Sequence, residues 1–388
     1  MSNKSLKVST RYLGMFLFFL PMVFIKALGM GSSDIIAIVM TCICLLFSLL
    51  SFNRIKLTKK EKSFWIPMII LGFILILTSG KYFILLSIYS LFLLSKMNSD
   101  KIRKVLLYVC AVAVIILIVV NISSSSVEAR FINGAWTYVT KRSNTIFVSF
   151  FMLFNLYIMQ RKPKKLTMIL FVVAGFLLFK FTYSRSGFVC ILLECLLLFA
   201  YSFKPFQKSR TIKAIVILSP ILIYAICFLA NYLLGTVPIL DKINMLLQNR
   251  LTHGKRFLSL YPLTLFGQHV VTSSTADSYM ILDNTYLNLY TNYGLVLSIL
   301  WVALNIGTLS YLYKKENYIG IIVVVSYLFY GITESFVLVS FINAGFFYFG
   351  EYLASKIARK EVYNQYGYTL NESVNSRLRK MPLGLRGK

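Results

Sequence analysis

The side chains in this chain that could do chemistry fall in three polar stretches. RLTHGKRFLSLYPLTLFGQHV, residues 250–270, holds both histidines, His253 and His269, together with Arg250, Lys255 and Arg256. Arg250, His253 and Arg256 recur at every third residue, so on a helix they share one broad face. Two guanidiniums and an imidazole on one face can neutralise a diphosphate, and an amphipathic helix resting on lipid headgroups would use the same spacing. His269 has no comparable partners and reads as a loop residue. FKFTYSRSGFV, residues 179–189, places Lys180 and Arg185 about a tight turn. Glu194 then lies roughly 9 to 12 Å into the returning helix at ~1.5 Å per residue. Either Glu194 pairs with Lys180 or Arg185 and pins the hairpin, or Arg185 points into a cavity, where its planar fork of donors suits phosphate better than lysine does. In ILDNTYLNLYTNYGL, residues 281–295, Asp283 either N-caps the next helix or accepts a proton from an attacking hydroxyl. Glu334, in GITESF, is another acid of that kind.

The elements that must position these residues are membrane spans. With 58% hydrophobic residues, a mean hydropathy of +0.73 and 13 acidic residues in 388, the chain has too much apolar surface for a water-soluble domain. Runs such as VLLYVCAVAVIILIVVNI and AIVILSPILIYAICFLANYLL approach the ~20 apolar residues that cross a bilayer as a helix, and strand-like alternation is absent. Twelve spans are expected, near 12–30, 34–52, 64–80, 82–95, 105–122, 145–159, 167–183, 188–203, 214–234, 288–313, 318–333 and 336–355. The fold class is therefore an all-α polytopic membrane protein. Residues 1–355 form one integral membrane domain, and 356–388 form a basic tail that reads as a cytoplasmic extension. The first segment lacks a small-residue cleavage site and reads as a retained span.

Charge orients the spans. Alternate connections and both termini hold 30 of the 41 Lys and Arg residues, which by the positive-inside rule puts both termini in the cytoplasm. The net charge of +28 is then a matter of orientation and anionic headgroups, not of nucleic acid. Arg130, Lys180, Arg185, Arg250 and Arg256 are among the cations left on the outer side, where orientation does not explain them. The outer interval 235–287, about fifty residues, is far longer than an ordinary connection and reads as a catalytic or lid element. All six cysteines sit inside expected spans as small buried residues. No Walker loop, GxGxxG, HExxH or CxxC pair occurs, so no ATP, dinucleotide or tightly held metal is implied.

In order along the chain, TYSRSG at 182–187, RLTHGKRF running on to LFGQ at 265–268, DNTYLNLYTNYGL and GITES at 331–335 resemble the bacterial O-antigen polymerase and ligase superfamily, the Wzy and WaaL type membrane glycosyltransferases. The resemblance implies glycan transfer from a polyprenyl diphosphate carrier to an acceptor sugar hydroxyl, at the outer face of the bacterial cytoplasmic membrane, without a nucleotide sugar or other cofactor. It implies that Arg185 and Arg250 or Arg256 bind the donor diphosphate and that His253 or Asp283 serves as base in an inverting displacement. The implied partners are lipid-linked donor and acceptor and membrane lipid, with a flippase and a chain-length regulator as candidate protein partners. Ligases of the superfamily commonly carry His where this chain has Asp283, which favours a repeat-unit polymerase. In ARFINGAWTYVTKRSN, Arg130, Gly134 and Asn144 stand wider apart than the family's earlier outer-loop pattern. A ligase, or a transporter of lipid-linked sugar, is the alternative expectation. A transporter would distribute charges at mid-membrane on several helices.

Overall fold

Apolar runs bounded by polar caps become helices here. Thr58 accepts a hydrogen bond from the Glu61 amide (3.3 Å), while the Glu61 carboxylate accepts one from the Thr58 amide (2.8 Å). This reciprocal cap satisfies two otherwise orphaned donors and starts a 21-residue helix that ends at Gly80, in the left-handed conformation. The computed structural model describes residues 18–19, 35–52, 57–96, 99–123, 127–132, 135–140, 143–161, 163–272 and 281–357. In order, the helices are α1 (Ile35–Phe52), α2 (Lys59–Ser79), α3 (Phe83–Ser95), α4 (Ser99–Ser123), α5 (Ser143–Gln160), α6 (Lys165–Thr182) and α7 (Arg185–Ala200). There follow α8 (Lys204–Lys208), α9 (Arg210–Tyr232), α10 (Pro238–Leu246), α11 (Arg250–Leu260) and α12 (Thr285–Asn288). A π-helical turn, Leu289–Tyr293, joins α12 to α13 (Gly294–Lys314), and α14 (Tyr318–Tyr330) and α15 (Gly345–Ile357) complete the set.

Among the described residues, five helical stretches are long and apolar enough to cross a bilayer: Lys59–Ser79, Asp100–Val119, Lys165–Thr182, Arg210–Tyr232 and the run Thr285–Lys314. Phe83–Ser95, Ile146–Gln160 and Tyr318–Tyr330 are shorter apolar helices. Leu77, Leu196 and Ile226 stand exposed on α2, α7 and α9, the outward apolar surface of a bundle whose solvent is hydrocarbon. The chain is a multi-pass helical membrane protein. Helices overlie the expected spans from 34–52 to 318–333. Of the span expected at 336–355 only Gly345–Ile357 is an α-helix, after a 3-10 turn at Phe336–Leu338, and the span expected at 12–30 lies outside the described residues apart from the helical pair Phe18 and Phe19. The tail from 358 also lies outside them.

The bundle is helical as expected, and one connection adds a short hairpin. Between α4 and α5 stands an antiparallel hairpin, β1 (Val127–Ile132) and β2 (Ala135–Thr140), with Ile132 opposite Ala135. The sequence between the strands is Asn133-Gly134, a dipeptide suited to a two-residue hairpin turn. Arg130 falls on β1 opposite Thr137, and its side chain lies outside the described set.

Two polar ends enclose the apolar bundle. At one end Lys96 pairs with Glu61, Arg103 pairs with Asp100 and with Glu351 (3.6 Å), and Gln160 donates to the Arg103 carbonyl (2.8 Å). Between the ends, α7 packs on α14, α5 on α6, and α9 on α13, around Phe147, Phe151, Tyr327 and Tyr330. At the other end the strap after α11 runs over α2 and the π turn. Thr78 donates to the Phe266 carbonyl (2.7 Å), Gln268 N donates to Asn292 O (3.2 Å), and the amides of Leu295 and Val296 donate to Thr264 O and Leu265 O. His269 Nδ1 sits 3.4 Å from the Ser79 carbonyl, a loop contact as expected. Gly267 makes this closure possible: its φ is +80°, and a Cβ there would lie 2.0 Å from the Asn292 carbonyl oxygen, a backbone atom that cannot swing aside. Gly267→Ala should therefore lower stability by about 2–3 kcal/mol or more. Gly235→Ala, at φ +84° with nothing within 4 Å, should lose only ~1 kcal/mol. Thermal unfolding in detergent measures both, and equal midpoints would contradict the strap.

Candidate active site

Arg250 is delivered by the way α11 starts and docks. Gln248 and Asn249 adopt left-handed backbone (φ 56° and 61°), turning the chain out of α10. Asn244 Oδ1 then accepts from the amides of Leu251 (3.0 Å) and Thr252 (3.2 Å), so a side chain of α10 occupies the exposed donors of α11. Leu251, Gly254 and Phe257 form the buried face of α11. That face rests on α9, where a Cβ on Gly254 would come within 2.1 Å of Asn231 Oδ1. Arg250 lies one turn before this contact and is thereby held toward the bundle.

Its guanidinium meets two carboxylates. Both terminal nitrogens donate to Glu334 Oε1 at 3.3 Å, and Nη2 lies 3.5 Å from Asp283 Oδ2. Ser186 Oγ donates to the same Glu334 oxygen at 3.1 Å. Segments far apart in sequence are drawn together: the turn into α7 supplies Ser186, α11 supplies Arg250, and the segments entering α12 and leaving α14 supply the acids. Backbone contacts fix the last two to each other, because Thr285 N donates to Gly331 O (2.8 Å) and Thr285 Oγ1 to Glu334 O (2.6 Å).

Asp283 does not cap α12. Asn284 does so, accepting from the amides of Tyr286 (2.9 Å) and Leu287 (3.0 Å) while donating to Ile332 O (2.8 Å). The amide side chain satisfies the helix end and tethers it to the chain after α14, which leaves Asp283 to Arg250. His253, half-buried on α11, lies within electrostatic reach of Asp283.

Other expected residues are placed differently. Arg256 is exposed on α11. A three-residue step turns a helix back by ~60°, so two steps carry Arg256 about 120° from Arg250, and the shared face ends at His253. Arg185 is the first residue of α7, next to Ser186; it is half-buried and forms no ion pair among the described residues. The expected Glu194 ion pair is absent among them as well. Lys180 sits 5.3 Å from the Phe176 ring centroid, and Glu194, fully buried, accepts instead from Asn155 Nδ2 on α5 (3.1 Å). Ser186, Asn244 and Asn284 were not singled out by sequence reasoning. For Asn284 the available signal was an asparagine just before a helix start, whereas Asn244 lies within α10 and reaches α11 only in the fold.

The cluster holds two acids for one arginine, with Glu334 buried and Arg250 and Asp283 half-buried, and both acids are raised. Glu334, 4% exposed, is pushed up to about 7 by burial first and then by the charge of Asp283, against Arg250 and its hydrogen bonds from Ser186 and Arg250. Asp283 is raised by burial, with Arg250 and His253 opposing. A carboxyl that titrates near neutrality beside a guanidinium can exchange a proton with a hydroxyl while the cation steadies an anion. An apolar cavity of about 220 Å³ lies elsewhere, lined by Trp65, Leu297, Trp301, Leu304, Phe346 and Leu353, and takes no part in this cluster. No protein family, curated protein or solved structure matches this chain.

The folded value of Glu334 lies above its ordinary 4.5, so its contribution to stability is complete below that pH and is lost as pH rises to about 7. The unfolding midpoint should fall across this window, with a limiting slope of about 1.4 kcal/mol per pH unit. Glu334→Gln should flatten the fall, and an unchanged slope in that variant would assign the titration elsewhere.

Proposed function

We propose that this protein is a repeat-unit polymerase of a surface polysaccharide, transferring a lipid-diphosphate-linked glycan to the acceptor hydroxyl of a second lipid-linked unit. The reading takes the twelve-span topology with both termini cytoplasmic, so that the Lys- and Arg-rich connections face inward and the Arg250 cluster faces outward in the cytoplasmic membrane. The observation that carries it is the Arg250–Asp283–Glu334 cluster with Ser186 bonded to it, Arg185 being the residue before Ser186 at the start of α7. It is assembled from the turn and loop segments on which the superfamily resemblance rests.

The chemistry follows from that inventory. The acceptor oxygen attacks the anomeric carbon, the bond from that carbon to the diphosphate oxygen breaks, and the diphosphate departs with the electron pair. Arg185, which has no carboxylate partner among the described residues, and Arg250, whose fork already spans two acids, offset the charge that develops on the leaving group. The hydroxyl proton passes to a carboxylate. Asp283 or Glu334 is placed to take it, with His253 next to Asp283 as the neighbouring base. The spent diphosphate needs little acid help, since it leaves as a stable anion.

The direct test is incubation of the purified protein in vesicles with a lipid-diphosphate-linked repeat unit. A ladder of products without ATP or nucleotide sugar is expected, and transport across the vesicle with no new glycosidic bond would overturn the proposal. Arg250→Lys keeps the charge and loses the fork, and should lower turnover by about tenfold or more. Unchanged turnover would remove Arg250 from diphosphate binding. Asp283→Asn and Glu334→Gln distinguish the acids, because the variant of the base should lose turnover with a flattened pH profile while the other retains the profile.

A further inference from the structure

The interior below the cluster holds a third acid, for which the reaction has no use. Gly187, Cys190, Ile191 and Glu194 form the buried stripe of α7, and this stripe faces α14 and α5. At its outer end the Tyr330 hydroxyl lies against α7, 2.8 Å from the position a Cβ on Gly187 would take. At its inner end stands Glu194, seven residues on, or ~10 Å along the helix.

Polar atoms without protein partners mark both ends. The Tyr330 hydroxyl and Ser184 Oγ are buried and unpartnered at the upper end, and Glu194 Oε1 and Asn155 Oδ1 at the lower. These residues are 0 to 3% exposed. Between them lies the Cys190 thiol, within electrostatic reach of both Glu194 and Glu334. Tyr330 is similarly close to Glu334 and Cys190. Buried polar groups of this kind are ordinarily satisfied by internal water, which needs two to four polar partners. The ~10 Å of helix rise between the two ends corresponds to about three waters at ~2.8 Å spacing. Asn155 supplies an amide donor to Glu194, but no cation pairs with it among the described residues. A lone charge sealed there would be costly, whereas a carboxyl that exchanges its proton through water is not.

We propose that Glu194 is an interior proton-binding site joined to Glu334 by a file of internal waters held by Tyr330, Ser184 and Asn155. One proton moves in each step. An O–H bond breaks on Glu334, a water takes that proton and passes one on, and the last water in the file delivers a proton to Glu194; the reverse sequence returns it. No electron is transferred. The site gives the outer acid an exchange partner sheltered from the outer solvent, and it stands whether or not the polymerase reading does.

Infrared difference spectroscopy of the purified protein in lipid nanodiscs tests this without any activity. Wild type should show a protonated-carboxyl C=O band that disappears in Glu194→Gln and shifts promptly on transfer to D2O. If Glu194→Gln does not fold, Glu194→Asp should displace the band instead. Tyr330→Phe removes one link of the file and should slow the D2O shift of the Glu194 band by about tenfold. Absence of any carboxyl band assignable to Glu194, a band that does not shift over many hours, or Tyr330→Phe exchanging at the wild-type rate would each overturn the proposal.

Discussion

A single guanidinium shared by a buried and a half-buried carboxylate determines how the Arg250 end of this protein is built. Arg250 is 3.3 Å from Glu334 and 3.5 Å from Asp283, and neither acid has another arginine or lysine recorded against it among the described residues. Removing the cation would strand two carboxylates, at a cost of several kcal/mol, so the segments that carry them have to stay within reach of α11. The Asn244 brace, the Gly254 contact with α9 and the tie between Thr285 and the chain after α14 serve that end. Their common effect is to keep an arginine at a protein interior that would otherwise expel it.

The same pairing explains why the site is poised for proton exchange. One arginine cannot fully neutralise two acids, and burial removes the solvent that would, so Glu334 moves toward neutrality. At the opposite end the balance differs: Glu61 has Lys96, and Arg103 has both Asp100 and Glu351. Those pairs tie helix ends together. Arg103, like Arg250, faces two acids, but there one of them, Asp100, is largely exposed to solvent, whereas Glu334 in the Arg250 cluster is buried.

Much of the scaffold was legible in the chain. Apolar runs of span length mark α2, α4, α6, α9 and α13, because the bilayer demands a continuous apolar surface whatever the neighbours are. The polar stretches around Arg185, Arg250, Asp283 and Glu334 also stood out, since charges beyond the orienting lysines are conspicuous in such a chain. The hairpin at 127–140 did not, because two six-residue strands leave little alternation and their signal is the Asn-Gly between them. Asp283 and Asn284 are adjacent and both make good caps, so the sequence could not say which would cap and which would pair. Glu194 was matched to the nearest cations along the chain. Its partner, Asn155, lies 39 residues away on another helix.

Composition, hydropathy and charge asymmetry determined by themselves that the chain is a helical membrane protein with two chemically unlike sets of connections, because those properties answer to water and hydrocarbon and need no partner. Which polar residues meet was decided only by the tertiary structure. Arg250 reaches Asp283 and Glu334 across 33 and 84 residues, through helix docking that depends on Gly254, Asn231 and Asn284. Helical phase separated Arg250 from Arg256, and burial made Glu334 titrate near neutrality. Contacts of that kind depend on which faces of distant helices pack together, and residue type and spacing along one segment carry no record of it.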